Sequence, residues 1–207
     1  MAALDTLLSA SKELGASDAY RYDVVNLTRQ LLGGLGLPAV QAVEAAYMRK
    51  DRAALDSAEA RVTGLIADLD TLVGTRPEFL LGPWLESAKA WGKTQAERDL
   101  YEWNARNIIT LWGTKCTEGQ NDDLNLYAYK QWQGMFSGYY LPRWKEFFAR
   151  LNRSLDDGKT FDRGPFAAES CEWEKGWSGG HERYRVEPEG DAVGVARRVA
   201  RRWLVGL

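Results

Sequence analysis

Residues that could do chemistry are concentrated between Asp99 and Phe148. This stretch holds four of the nine Trp, five of the nine Tyr and three of the six Phe in the 207-residue chain. Asn104, Arg106, Asn107, Tyr127, Lys130 and Gln131 are interleaved with the rings. Core packing accounts for Trp103, Phe136, Trp144, Phe147 and Phe148, because large rings dominate interiors. It accounts less well for the amides and charges. Aromatic anchors with a few polar groups describe a ligand pocket or a protein interface. Sugar rings, apolar on their faces and hydroxylated at the rim, suit such a surface.

Reactive side chains are sparse. His181 is the single histidine and sits in a Gly-rich loop. A Cys171/His181 nucleophile pair is conceivable, but it needs a geometry that spacing does not supply. His181 therefore reads as incidental. Cys116 and Cys171 form no CxxC, and they could pair or stay free thiols. There is no GxSxG. Gly33-Gly34-Leu35-Gly36 lacks the lysine and strand of a phosphate loop. No metal site and no cofactor is expected. A glycosidase pair would flank one bond at roughly 5–9.5 Å. The acidic residues read instead as helix caps or solvated faces. Asp99 and Glu102 are assigned to a first turn, complementing the helix dipole. No catalytic residue is predicted.

The elements that position these groups read as helices. Leu4, Leu7, Leu8 and Leu14 follow helical spacing up to Gly15, and Ser17 can cap the next segment. That segment carries Tyr20, Val24, Leu27, Leu31 and Leu32. Gly33 to Pro38 predicts a break or kink, after which helix resumes through Val40, Val43 and Tyr47. Residues 51–74 form the cleanest helix, with Leu55, Val62, Ile66, Leu69 and Val73 on one face. A short element from Phe79 to Trp91 offers Phe79, Leu80, Trp84, Leu85 and Trp91 for packing. Thr94-Gln95-Ala96-Glu97 is a capping box. The helix it opens places Leu100, Trp103, Asn107, Ile108 and Leu111 on one side. The next helix is expected from about Asp123 to Tyr140, kinked or restarted by Pro142 and continued by Trp144, Phe147, Phe148 and Leu151. A short helix fits Ala167 to Trp177, and Asp191 can cap a last helix to about Val205. No strand and no repeat is evident. The reading is all-α, a helical bundle with a kinked aromatic-rich long helix and a less regular C-terminal third.

Bulk properties exclude several classes. The formal net charge is −2 with interleaved signs, so nothing points to nucleic acid. The basic run Arg197, Arg198, Arg201 and Arg202 reads as a solvated helix face. No stretch approaches about 18 consecutive apolar residues, so no membrane span is expected. Residues 1–15 lack the pattern of a signal peptide. Asn26-Leu27-Thr28 and Asn152-Arg153-Ser154 are formal glycosylation sequons, but both fall in predicted helices and read as chance matches.

Ordered motifs give a sharper reading. Asp99-Leu100-Tyr101-Glu102-Trp103-Asn104-Ala105-Arg106-Asn107, then Ile109-Thr110-Leu111-Trp112-Gly113, resembles the C-terminal helical domain of the α-N-acetylglucosaminidases, glycoside hydrolase family 89. Tyr127-Ala128-Tyr129-Lys130-Gln131-Trp132-Gln133-Gly134 and Tyr139-Tyr140-Leu141-Pro142-Arg143-Trp144 are similar to the same domain. So are Arg21 to Gln30, Arg76 to Gly82, and Trp84-Leu85. The similarity runs from about 20 to 150 within a single domain of 1–207. Departures are Leu126, where the family usually has Asp before the tyrosine, a longer loop at 115–122, and the break at Gly33 to Pro38.

The resemblance implies a larger enzyme that removes terminal α-linked N-acetylglucosamine from glycans, including heparan sulfate in animals. Its two catalytic glutamates would lie on a preceding α/β barrel, which this chain is expected to lack. The helical domain would form one wall of the cleft, with the barrel as partner and an N-acetylglucosamine-terminated glycan as ligand. Trp112 and Tyr127 match positions near the sugar, and Leu124 is a weaker apolar match. Relatives are lysosomal or exported. The alternatives are a stand-alone helical carbohydrate-binding module, or a protein-interaction module without catalysis.

Overall fold

The computed structural model describes residues 2–113, 116 and 126–204. The described residues are helical apart from turns, irregular segments and one isolated β-bridge, between Leu80 and Gln133. The helices are α1 (Ala2–Ser9), α2 (Ser11–Leu14), α3 (Asp18–Gly33), α4 (Gly36–Met48), α5 (Arg52–Val73), α6 (Leu81–Lys89), α7 (Gln95–Ile108), α8 (Leu141–Asp156), α9 (Arg163–Ser178) and α10 (Ala192–Trp203). A 3₁₀ turn, Pro77–Phe79, precedes α6, and a π-helical turn, Phe136–Tyr140, runs into α8.

Helix α5 is the axis of the larger core. Asp51 caps it, accepting from the Ala54 amide at 3.0 Å. Its predicted stripe is buried, and Ala58, Leu65 and Leu72 widen it. Against it pack α3, α4, α8 and α10. Buried leucines of this kind are worth about 1.5–3 kcal/mol each relative to exposure. A smaller core gathers Leu81, Leu85, Ala105, Ile109, Met135, Tyr139 and Trp177.

The expected break after Leu32 is a kink. Gly34 and Leu35 keep right-handed helical dihedrals, so α3 and α4 form one bent stretch, Asp18–Met48. By length and composition that stretch could cross a bilayer. Here Tyr20, Val24, Val25, Leu32, Ala39 and Val43 pack into the larger core. Both sequons lie inside helices. The Thr28 hydroxyl is buried and donates to the Val24 carbonyl, while Asn152 donates to Glu59.

Several boundaries differ from the sequence reading. The first helix breaks at Ala10, and Leu14 is exposed. Trp84 and Trp91, expected to pack, are exposed, Trp91 at 82%. Arg198 and Arg201 are solvated as expected. Arg197 instead donates to the Leu8 carbonyl and the Ser11 hydroxyl, and Arg202 donates to Asp68, so both fasten α10 to its neighbours.

The largest difference lies before α8. Residues 126–132 are turn and irregular chain, not helix. Leu126 has φ +61 and Gly134 φ +89, the left-handed region that helices avoid. A Cβ on Gly134 would come within 2.7 Å of the Tyr184 ring. The helical path begins only after Gly134, where Asp70 of α5 accepts from the amides of Gly134 (2.8 Å) and Ser137 (3.2 Å). Asp70 thus satisfies donors that a new helix leaves open.

Candidate functional site

Helix α7 is built from its cap inward. Thr94 accepts from the Glu97 amide at 3.2 Å, and the Glu97 carboxylate accepts from Lys93 and Thr94 amides at 2.7 and 3.0 Å. Those amides hold the Glu97 carboxyl below the usual carboxylate range. The helix then turns an unusual face inward. Glu102, Ala105 and Arg106 are buried, whereas Leu100, Trp103 and Ile108 of the expected apolar stripe are exposed. Glu102 therefore does not sit in a first turn, and Trp103 is not a core residue.

Arg106 is fully buried and saturated with acceptors. Its Nη2 donates to Glu102 at 2.8 Å and to the Glu182 carbonyl at 2.8 Å. Its Nε donates to Glu102 at 3.1 Å, and Nη1 faces the Glu182 carboxylate at 3.3 Å. The guanidinium also lies 4.9 Å from the Trp177 ring and 5.4 Å from the Tyr184 ring. Burial pushes the Glu102 carboxyl up. Hydrogen bonds from Arg106 and His181, with the charges of Arg106 and Lys89, outweigh it and hold the carboxyl below its ordinary value. His181 Nδ1 lies 3.2 Å from Glu102. His181 is thus part of this cluster, not incidental.

This cluster fixes the end of α7, from which the candidate site hangs. Thr110 donates to the Arg106 carbonyl at 2.8 Å and touches the Ser178 hydroxyl at 3.3 Å. Trp112 then adopts φ +53, and its amide donates to the Asn107 carbonyl at 2.8 Å. A left-handed conformation costs a non-glycine residue about 1–2 kcal/mol. Gly113 follows at φ +86, where a side chain would be strained. The Thr110 carbonyl accepts from the Leu126 amide at 2.7 Å and returns the chain to the same place.

Trp112 and Tyr127 consequently meet edge to face, their rings 5.7 Å apart at 68°. Trp112 is 36% and Tyr127 70% exposed. The structure thus brings together these two predicted residues. Leu124 lies outside the described residues. Cys116 and Cys171 are joined in a disulfide that ties the chain after Gly113 to α9. Pairing removes Cys171 as a nucleophile, and no Cys171/His181 dyad exists. Among the described residues, no group of three or more His, Cys, Asp or Glu side chains could hold a metal.

The outer face of this region was missed from sequence. Trp84, Trp91, Leu100, Tyr101, Trp103, Ile108 and Tyr129 are all exposed. The Trp84 indole donates to the Ala105 carbonyl at 3.0 Å, fixing its ring against α7. The readable signal was Glu102 and Arg106 at a spacing of four residues, which puts a charged pair on one face and apolar residues on the other. The arrangement offers flat apolar rings beside amides.

Residues 1–202 match the family model described as the alpha-N-acetylglucosaminidase (NAGLU) C-terminal domain. The chain belongs to this family. Human alpha-N-acetylglucosaminidase is 35% identical over 205 residues, covering 97% of this chain and 27% of that protein. A family 89 glycoside hydrolase from Clostridium perfringens, solved in complex with 2-acetamido-1,2-dideoxynojirmycin, superposes with a TM-score of 0.83. Its identity is 27%, over 97% of this chain and 23% of that one. A doubly substituted form of the Clostridium perfringens protein, in complex with its substrate GlcNAc-alpha-1,4-galactose, gives the same TM-score and identity. The chain therefore spans about a quarter of the length of these relatives. In this chain the Asp18–Met48 stretch stays helical across the glycines, bent at Gly34 and Leu35.

Proposed function

We propose that this domain is one wall of the sugar cleft of an α-N-acetylglucosaminidase, completed by a catalytic barrel on a separate part of the enzyme. Trp112 and Tyr127 face a terminal N-acetylglucosamine, with Leu124 as a further apolar contact. The carboxylates that break the glycosidic bond come from the barrel. One observation carries this reading: an edge-to-face pair of exposed rings is held by two residues at positive φ, on the end of a helix anchored by a buried ion cluster. Rings with nearby amides suit a sugar's apolar face and hydroxyl rim. The solved relatives bound to an amino-sugar mimic and to a GlcNAc disaccharide support the ligand class. The exposed apolar side of α7 is the surface that would meet the barrel.

The test joins this domain to a family 89 barrel and measures hydrolysis of p-nitrophenyl α-N-acetylglucosaminide. Trp112→Ala and Tyr127→Ala should each lower kcat/KM about tenfold or more, a loss of about 1.4 kcal/mol in transition-state binding. Circular dichroism and melting should stay unchanged. Activity within twofold of the parent for both variants overturns the assignment. The isolated domain should show no turnover, and hydrolysis that depends on one of its own carboxylates would refute the division of labour.

A further inference from the structure

A cavity of about 430 Å³ lies between α4, α8 and α9 and is bordered by Leu126. That size falls in the range of small-molecule sites, about 300–1,000 Å³. Its walls are mainly rings and aliphatic carbon: Val40 of α4, Trp144 and Phe147 of α8, and Phe166 of α9. Phe147 and Phe166 sit 5.5 Å apart and tilted, so the rings present both faces and edges.

Among the described residues three polar side chains interrupt this lining, Tyr140, Arg143 and Ser170, and the Tyr140 hydroxyl is already used, donating to the Lys130 carbonyl at 2.9 Å. The Arg143 charge is already matched, because its Nη2 lies 2.7 Å from the buried Glu174 carboxylate. The pair has no net charge to offer, so an anion gains little and a cation gains nothing. Arg143 Nε is buried without an acceptor and is one available donor at the cavity wall. The Ser170 hydroxyl makes no hydrogen bond among the described residues and is a second available donor. A cavity whose described lining is mainly apolar, offers unused donors and carries only a matched ion pair selects a neutral ligand with an acceptor.

We propose that this cavity binds a small neutral aromatic molecule, one or two rings in size, carrying a single carbonyl or ether acceptor. Neither Trp112 nor Tyr127 lines this cavity, although it borders Leu126 beside them. The site survives if the sugar reading fails, because its test uses no sugar.

The test titrates the chain with Prodan, a neutral naphthalene ketone whose emission shifts to the blue in apolar surroundings. Saturable one-to-one binding with a blue shift is expected. Ser170→Trp, which fills the cavity from α9, should weaken it at least tenfold without changing the circular dichroism spectrum. The anionic 2-naphthalenesulfonate should bind at least tenfold more weakly than Prodan. A measurement on the unaltered chain guards against a misfolded variant: nuclear Overhauser contacts should join Prodan to the Phe166 and Trp144 ring protons. Absent contacts, unsaturable binding, unchanged affinity in Ser170→Trp or tighter binding of the sulfonate each overturn the proposal. So does dimerisation that Prodan reverses, which would assign the cavity to a second copy of the chain.

Discussion

Helices α5 and α7 bury opposite kinds of face. Helix α5 turns Leu55, Val62, Leu65, Ile66, Leu69, Leu72 and Val73 inward, a stripe that any neighbouring apolar surface can cover. Helix α7 turns a carboxylate and a guanidinium inward and leaves Leu100, Trp103 and Ile108 outside. The first arrangement is driven by non-directional burial. The second depends on geometry, because each buried charge is costly unless its partners are in place. Where partners are directional, the chain beyond them is held in one position, and the Trp112–Tyr127 pair lies beyond Arg106 in that sense. The apolar side of α7, in turn, stays exposed among the described residues.

Breaking the buried pair on one side gives the largest expected effect. Arg106→Met leaves Glu102 buried without its main partner and should cost about 3–5 kcal/mol of unfolding free energy in urea titrations. The doubly substituted Glu102→Met/Arg106→Met should recover most of that loss, since apolar pairs of similar volume often replace buried ion pairs without penalty. Leu72→Ala in α5, at about 2–5 kcal/mol, has no such partner whose change restores it. A double variant as unstable as Arg106→Met would show that the hydrogen bonds to Glu182 and Trp177, not the charge pair, decide the site.

The disulfide comes next. Cys116 and Cys171 are 55 residues apart, and a cross-link of that reach restricts the unfolded chain considerably. Replacing both with Ser should cost about 2–4 kcal/mol. The loss should appear in the smaller core first. Hydrogen exchange of α7 and α9 amides should accelerate more than that of α5. Uniform acceleration would mean that the two cores open together and that the contrast between them is structural only.

What was legible in the sequence follows the same division. The α5 stripe, the Thr94 capping box and the Asp191 cap depend on neighbours within a few residues, and all are present. The Trp112 and Tyr127 positions came from motif resemblance, and the structure brings their rings into contact. The inward face of α7 was not legible, because Arg106 takes its partners from Trp177 and Glu182, more than 70 residues away. Nor was the non-helical Tyr127 segment. Its aromatic spacing resembles a helix, but the donors at the true start are satisfied by Asp70 from α5. Cysteine pairing is equally remote, since spacing alone does not bring two Cα atoms to 5.5 Å. Local chemistry encodes caps and stripes, whereas the site is set by contacts that close only after the helices pack.

The smallest expected effect tests an exposed counterpart of the Arg106 cluster. Arg76 is buried and pairs with two carboxylates, Asp18 at 2.8 Å and Glu78 at 2.7 Å, joining the start of α3 to the end of α5. Asp18 itself is solvated, and hydrogen bonds from Arg76 and Arg21 lower its pKa from 3.8 to about 2. A carboxyl lowered on folding contributes stability above its unfolded value, and loses it as pH falls through its folded one. The contribution is therefore complete above about pH 4 and disappears towards pH 2. Between these limits the melting temperature of the parent should fall more steeply with acid than that of Asp18→Asn. Above pH 5 the variant should melt slightly lower, because screening keeps exposed pairs weak. Calorimetric melts from pH 2 to pH 6 measure both. Parallel curves would mean that Arg76 is held by Glu78 alone, and that an ion pair needs burial on both sides, as at Arg106 and Glu102, to leave a mark on stability.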